Sequence, residues 1–190
     1  MQDVNPAEEG IVPPNDLPPQ RRVITAHTTD GTSIFDSSLP EETPIQVLSN
    51  KAAASLAYAV QIPPTFTDDA DIGNYTRLLK DPPGLTISDS AVLRWYDIGP
   101  GVESPLHRTM SIDYLVVLFG YLELVLDSGE TRTLRPGDVV IQRGTMHSWK
   151  NITSGWARTL AVTIPVHGMI VGGQSVGEDL GSIEGFKKSE

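Results

Sequence analysis

Two of the four histidines stand in short β-like runs, each next to a residue that would share its face of the strand. Alternate side chains of an extended strand point the same way, so His107 pairs with Thr109 and His147 with Trp149. An imidazole can act as a general acid or base near neutral pH, or as a metal ligand. The alternative is that both histidines are buried, hydrogen-bonded structural residues, and that Trp149 is a plain core residue.

The elements that would position these residues form a predicted antiparallel β meander between residues 90 and 166. Strands of this length without intervening helical periods favour a sandwich or a closed barrel, which hides the sheet edges. The apolar runs, separated by Gly, Pro, Asp and Ser turns, are AVLRWYDI, DYLVVLF, YLELVL, TRTL, DVVIQ, HSWKN and ARTLAVTI.

One run of this meander, from Tyr114 to Phe119, is apolar on both of its faces. The barrel interior would cover one face, and a dimer partner or the N-terminal strands would cover the other. Since two-fold symmetry is the commonest closure among soluble oligomers, we expect a homodimer.

The flanks of the meander predict three further regions. Residues 1–20 are acidic and proline-rich, which predicts a flexible arm, and residues 167–190 predict a glycine-rich C-terminal tail. Residues 21–89 predict N-terminal strands packed on the barrel, with KAAASLAYAVQI compatible with either a helix or a strand. Residues 65–84 predict a lid-like loop with at most one short helix around Tyr75 to Leu79.

The composition excludes several classes of function. A formal net charge of −10 argues against nucleic acid and anionic membranes as partners. With no cysteine, thiol catalysis and Cys-ligated zinc are excluded. The N-terminus lacks the basic start and apolar run of a signal peptide, and no apolar stretch reaches membrane-spanning length, which favours a cytoplasmic protein.

Two motifs give the chain a family resemblance. In the first, Gly101, His107, Thr109, Asp113 and Gly120 stand at the spacing of the first motif of the cupin superfamily, a glycine, two histidines, a glutamate and a glycine. Thr109 occupies the place of the second histidine, and Asp113 that of the glutamate.

The second cupin motif is a glycine, a strand, a Pro-x-Gly turn, a histidine and an asparagine. Gly137, Gln142, Gly144, His147 and Asn151 are similar to it, with Gln142 in place of the proline and one strand residue fewer. The chain therefore resembles small single-domain cupins, including those of fungal and bacterial secondary-metabolite pathways. The fold implied is all-β, a single double-stranded β-helix or jelly-roll barrel with N-terminal strand additions.

The resemblance also implies a site inside the barrel. There His107, His147 and Asp113 would form a two-histidine, one-carboxylate set suited to a divalent transition metal, Fe, Mn, Ni or Zn, with Thr109 and Trp149 lining the pocket. Thr109 is a poorer ligand than the missing histidine, so the alternative is a site that binds no metal. Asp113 has its own alternative, holding Arg108 or a backbone amide.

The arginines of the meander have two interpretations as well. Arg94, Arg108 and Arg143 would each lie on the outer surface, or reach inward as a carboxylate clamp.

The function implied is a lyase or isomerase that decarboxylates, dehydrates or isomerises a polyketide-like or aromatic carboxylic acid. His147 would act as general acid or base, His107 would assist it or bind a metal, Asp113 would set the tautomer of a histidine, and Arg108 would stabilise developing charge. The alternatives are a metal-dependent dioxygenase and a non-catalytic cupin that only binds a small molecule.

Overall fold

The computed structural model describes residues 15–48, 51–183 and 185–189. Two sheets make up the body of the molecule. Their strands are β3 (Gln46–Leu48), β4 (Ala52–Gln61), β5 (Ser90–Ile98), β6 (Ser111–Phe119), β7 (Leu122–Leu126), β8 (Thr131–Leu134), β9 (Val139–Arg143), β10 (His147–Asn151) and β11 (Ala157–Pro165). The six-stranded sheet has the order β3-β4-β5-β11-β6-β9, and the three-stranded sheet has the order β10-β7-β8.

The two sheets pack face to face around one apolar core. Its buried side chains come from both sheets: Leu115, Val117, Leu122, Trp149, Ala157 and Ala161. Alternation along β6 explains the inward face, because positions 111, 113, 115 and 117 are buried and the residues between them are less so. The predicted all-β barrel is therefore confirmed, and the seven apolar runs coincide with β5 to β11.

One glycine sets the tight passage from one sheet to the other. Gly120 lies between β6 and β7 with a φ of 73°, a conformation that side chains with a Cβ rarely adopt. A Cβ added there would lie 2.7 Å from the Cβ of Ala157. Only glycine therefore allows this turn and the close approach of β11.

The N-terminal region adds strands, as predicted. β1 (Thr25–His27) and β2 (Ser33–Phe35) form a separate antiparallel hairpin, and β3 pairs with β4 at the edge of the larger sheet. The ambiguous stretch KAAASLAYAVQI is a strand, β4, which pairs with β5 along nearly its whole length.

The loop predicted for residues 65–84 is largely helical, which corrects the prediction. A short 3-10 helix (Thr67–Asp69) leads into α1 (Ala70–Lys80). Tyr75 is fully buried against β4, and its hydroxyl donates to the carbonyl of Leu56 at 2.8 Å. The helix is long because Ile72, Tyr75 and Leu79 fall on one face at helical spacing and pack inward.

Within the predicted flexible arm, residues 1–14 lie outside the described residues, and residues 15–20 are held against the barrel. Asn15 and Gln20 donate to the carboxylate of Asp97 at 2.6 and 3.0 Å, and the carbonyl of Pro18 accepts from Arg158. Arg158 and Asp97 form a buried bidentate ion pair at 2.6 and 2.7 Å. A polar cluster therefore fixes residues 15–20, which apolar patterning alone did not indicate.

The C-terminal residues are also structured. β12 (Met169–Val171) and β13 (Gln174–Val176) form a hairpin, and Asp179 then pairs with Arg108 through both backbone hydrogen bonds. The chain continues to Ile183 and Phe186, which line the internal cavity. The predicted tail thus closes one side of the barrel. No helix of the described ranges has both the length and the apolar character needed to cross a membrane.

Candidate functional site

A cavity of about 150 Å³ lies between the two sheets. β10 contributes His147 and Trp149 from the smaller sheet, and β6 contributes Asp113 and Leu115 from the larger one. The remaining walls are mostly aliphatic or aromatic. The volume is close to that of a single aromatic ring.

Backbone pairing places the two histidines of the cavity side by side. His107 lies just before β6 and forms an isolated bridge with His147 of β10, in which each amide donates to the other's carbonyl at 2.9 Å. Their ring centroids lie 4.2 Å apart at an interplanar angle of 49°. The structure therefore brings together the two histidines that the motifs singled out.

Hydrogen bonds to carbonyl oxygens fix the tautomer of both rings. Nδ1 of His107 lies 2.8 Å from the carbonyl oxygen of Pro105, and Nδ1 of His147 lies 2.9 Å from that of Thr145. A carbonyl only accepts, so each Nδ1 carries the hydrogen and each Nε2 keeps its lone pair. Backbone carbonyls therefore set the tautomers, a role that the sequence assigned to Asp113.

Burial keeps both imidazoles neutral. It lowers the pKa of His147 to about 4, and the neighbouring His107 lowers it further in the same direction. Burial also lowers the pKa of His107, and the Pro105 carbonyl acts in the opposite direction. At neutral pH both Nε2 atoms are available as bases or ligands.

Asp113 faces the same cavity with the opposite shift. Burial raises the pKa of its carboxyl group to about 6, although the Ser111 hydroxyl, which donates to Oδ1 at 2.5 Å, acts to lower it. The carboxyl group therefore exchanges a proton in a range in which His147 is already neutral. Within the described residues its hydrogen-bond partner is the Ser111 hydroxyl, and neither Arg108 nor a backbone amide bonds to it.

The other predicted site residues divide between two faces. Thr109 and Trp149 line the cavity, with the Trp149 ring 6.0 Å from that of His147. Arg108 does not line it. Strand alternation turns its side chain away from the face that His107 and Thr109 share. The structure therefore does not bring Arg108 to the other candidate catalytic residues.

The predicted metal ligands supply only part of a ligand set. The Nε2 lone pairs of His107 and His147 suit a transition metal, and their Nδ1 hydrogen bonds are of the kind that orients metal-bound histidines. In the described part of the chain, however, no three His, Cys, Asp or Glu side chains are grouped closely enough to hold a metal ion. The two-histidine, one-carboxylate set is therefore not assembled in this conformation.

Three further residues shape the cavity. Tyr96 lines it from β5, and Phe186 lies edge-on to Tyr96 with ring centroids 6.4 Å apart. Arg94, two residues before Tyr96, is 2% exposed and therefore reaches inward, whereas Arg143 is exposed. The sequence left the orientation of Arg94 open and did not indicate that Tyr96 and Phe186 line the cavity. Tyr96 shares strand parity with Arg94, a signal that could have found it, but Phe186 lies in a segment with no strand pattern.

Comparison with known proteins decides the family. Phomopsin biosynthesis cluster protein C' of Diaporthe leptostromiformis is 44% identical over 158 residues, which cover 82% of this chain and 84% of the relative. A cupin-domain-containing oxidoreductase of Aspergillus ruber is 37% identical over 166 residues, which cover 85% of this chain and 80% of that protein. The chain belongs to the cupin family.

Two other comparisons add little to this. The polyketide cyclase RemF from Streptomyces resistomycificus resembles this cupin with a TM-score of 0.47 at 16% identity, over 77% of this chain and 85% of that one. No family model matches the chain. The membership rests on the curated relatives, which include proteins of fungal biosynthesis clusters.

Proposed function

We propose that this cupin is an enzyme of secondary metabolism, a lyase or isomerase that acts on a small polyketide-like or aromatic carboxylic acid. The observation that carries the proposal is the pair of neutral imidazoles whose Nε2 atoms, within the described part of the chain, have no hydrogen-bond partner in a cavity with mostly apolar walls. The names of the relatives support an enzymatic role in a biosynthesis cluster. The cavity volume supports a substrate whose reacting part is about one ring in size.

The proposed chemistry begins with proton transfer to His147. Its Nε2 takes a proton from a carbon next to a carbonyl group, and the electron pair of the broken C–H bond moves toward the carbonyl oxygen. The carboxyl group of Asp113, protonated at mildly acidic pH, donates a proton to another atom of the substrate. In an isomerisation Asp113 delivers its proton to a different carbon, and in a dehydration it protonates the departing hydroxyl group, which leaves as water. In both reactions the proton on His147 then passes to solvent and Asp113 takes one up, which restores the starting state.

His107 assists from the neighbouring position. Its ring centroid lies 4.2 Å from that of His147, and burial favours its uncharged form, so its Nε2 offers the substrate a second hydrogen-bond acceptor beside the base. The apolar walls exclude water, which strengthens the electrostatic interactions of these groups with the substrate. No step of this mechanism passes through a metal ion.

Exchange of carbon-bound hydrogen tests the first step without knowledge of the natural substrate. Protein in D₂O is mixed with a panel of acetyl-substituted phenols and aromatic β-keto acids, and proton loss next to the carbonyl group is followed by NMR. His147→Ala should lower the exchange rate by about two orders of magnitude or more, the usual scale for losing a positioned base. The control is His167→Ala, since His167 is exposed and lies outside the cavity.

Two results would contradict the proposal. One is undiminished exchange in His147→Ala, and the other is binding of the panel without exchange, which would leave the reading of a non-catalytic binding protein. Circular dichroism of the variant shows whether the barrel remains folded.

A second candidate, a metal-dependent oxidoreductase, is favoured by the name of the Aspergillus ruber relative and by the two free Nε2 atoms. It predicts that the panel is consumed with uptake of dioxygen, and that activity follows the content of bound iron, manganese, nickel or zinc. Elemental analysis together with an oxygen electrode separates it from the lyase or isomerase.

A further inference from the structure

A buried cation without a carboxylate partner lies behind one wall of the cavity. Arg94 is 2% exposed, and its guanidinium donates to the backbone carbonyls of Pro83, Gly84 and Leu85 at 2.7 to 3.1 Å. Among the described residues it forms no ion pair. Carbonyl groups satisfy its hydrogen bonds but do not cancel its charge, so Arg94 is a fixed positive charge behind this wall of the cavity.

The aromatic cover of the C-terminal segment lies over this cation. The guanidinium carbon of Arg94 is 5.3 Å from the centroid of the Phe186 ring. That ring in turn contacts the edge of Tyr96, which lines the cavity. Arg94 is thereby kept from solvent, so its charge is weakly screened and acts on the neighbouring Tyr96.

Tyr96 stands between this cation and the space that a ligand would occupy. It is two residues from Arg94 on the same face of β5, and it lines the cavity together with His147 and Asp113. Burial raises the pKa of the Tyr96 phenol, and the adjacent Arg94 acts to lower it. The phenol therefore keeps its hydrogen at neutral pH, and because the Arg94 guanidinium can only donate to the phenol oxygen, the O–H itself can donate to a ligand.

We propose that Tyr96 is a further catalytic residue, whose O–H donates to the substrate oxygen that becomes negatively charged, and that Arg94 makes the cavity selective for ligands with an anionic oxygen. This inference rests on the proposed function of the same site. As Nε2 of His147 takes the carbon-bound proton, the C–H electron pair forms a carbon–carbon double bond and the carbonyl π pair moves to oxygen. Tyr96 stabilises that oxygen by a hydrogen bond and keeps its own proton.

The small volume makes this arrangement effective. A single ring takes up much of about 150 Å³, and Tyr96 and His147 line this space from the larger and the smaller sheet. The substrate class that follows is a planar enolisable ketone, a phenol or a β-keto acid, whose oxygen points toward β5.

Equilibrium binding of 4-nitrophenol tests the inference without turnover. Its phenolate oxygen imitates the enolate, and its visible absorption distinguishes the ionised from the neutral form. The wild-type protein should bind the phenolate more tightly than nitrobenzene, a neutral ring of similar size. Tyr96→Phe should weaken phenolate binding about tenfold, with little effect on nitrobenzene, because it removes one hydrogen bond to a charged acceptor.

The matched control is Tyr121→Phe, which removes the same hydroxyl group from a side chain that is 50% exposed and outside the cavity. It should leave both affinities unchanged. Arg94→Gln keeps a hydrogen-bond donor for the loop carbonyls and removes the charge, so it should reduce the preference for phenolate over nitrobenzene in the same direction.

Two outcomes overturn the inference. Equal loss of phenolate and nitrobenzene binding in Tyr96→Phe would assign Tyr96 a purely structural role. A wild-type protein that does not prefer the phenolate would show that no anionic oxygen is stabilised here. Both results concern binding alone, so they are distinguishable from failure of the proposed reaction, which the hydrogen-exchange rate reports. If Arg94→Gln does not fold, the binding affinities of Tyr96→Phe still test whether Tyr96 stabilises an anionic oxygen.

Discussion

His107 and His147 are joined by two backbone hydrogen bonds of 2.9 Å, and their rings lie 4.2 Å apart. A charge on one ring therefore disfavours a charge on the other, in addition to the effect of burial. Between about pH 4 and pH 6 His147 is uncharged, whereas Asp113 is protonated. The usual order, in which a carboxyl group loses its proton before an imidazole does, is reversed in this cavity.

This reversal predicts opposing effects of pH on stability. The pKa of Asp113 is raised to about 6 in the folded state. Its contribution to the free energy of unfolding is therefore full at pH values below its pKa in the unfolded state, and it is lost as the pH rises through 6. The pKa of His147 is lowered to about 4 in the folded state. Its contribution to the free energy of unfolding is therefore full at pH values above its pKa in the unfolded state, and it is lost as the pH falls through 4.

Asp113→Asn should separate the two effects. Without the ionisable carboxyl group, the variant should gain stability relative to the wild type as the pH rises from 4.5 to 7. Thermal unfolding at both pH values measures this, with exposed Asp127→Asn as the baseline for losing one carboxylate. A difference between Asp113→Asn and the wild type that does not change with pH would contradict the assignment.

Thr109→His tests whether the site is a metal centre that has lost one ligand. Thr109 is 5% exposed and lines the cavity next to the two histidines, in the place where the cupin motif has its second histidine. If the site is such a centre, the variant should bind measurably more transition metal, because a third imidazole completes a ligand set.

If acid–base chemistry alone operates, the same substitution should crowd the cavity and lower the exchange rate without recruiting metal. Elemental analysis after dialysis against Zn²⁺ or Fe²⁺ distinguishes the two results. Thr131→His, at an exposed position of β8, controls for adventitious binding to an added histidine.

A homodimer remains the expected assembly. The outer face of β6 and β9 carries Tyr114 opposite Ile141, and Val116 opposite Val139, and three of these four side chains are at least 46% exposed. Such a contiguous apolar face is typical of a surface that another subunit covers. The wild type should sediment at twice the chain mass at micromolar concentrations, and Ile141→Asp should shift it toward the monomer.

Ile170→Asp is the control for the dimer, since Ile170 is 75% exposed on the separate β12–β13 hairpin. It should not change the sedimentation. A wild-type protein of monomer mass across micromolar concentrations would show that the apolar face is solvated.

The strands of the barrel and the histidine pair could be predicted because their signals are local. Alternation and turn residues mark each strand, and the motif spacing places His107 and His147 on strands that meet. The partners of Arg94 could not be predicted in the same way. They are carbonyl groups of one loop and the ring of Phe186, far along the chain, and no periodicity connects them. The extent of α1 was missed because its apolar positions are sparse between acidic and polar residues.

Residues 15–20 were missed for a related reason. They bury little apolar surface, and hydrogen bonds to the buried ion pair of Asp97 and Arg158 hold them on the barrel instead. Removing one member of such a pair leaves the other charged and buried. Arg158→Met should therefore destabilise the fold by about 3–5 kcal/mol, a loss of roughly 10 °C in Tm for a chain of this size.

The double variant Asp97→Asn with Arg158→Met should recover much of that loss, because neither side chain is then charged. Arg135→Met supplies the surface comparison, since Arg135 and Asp138 form an exposed pair at 3.8 Å, and such pairs contribute about 0–1 kcal/mol. Thermal unfolding of the four proteins measures all of these differences. If Arg158→Met lowers Tm no more than Arg135→Met does, the polar cluster does not stabilise the barrel. Residues 15–20 would then contact the barrel without contributing to its stability.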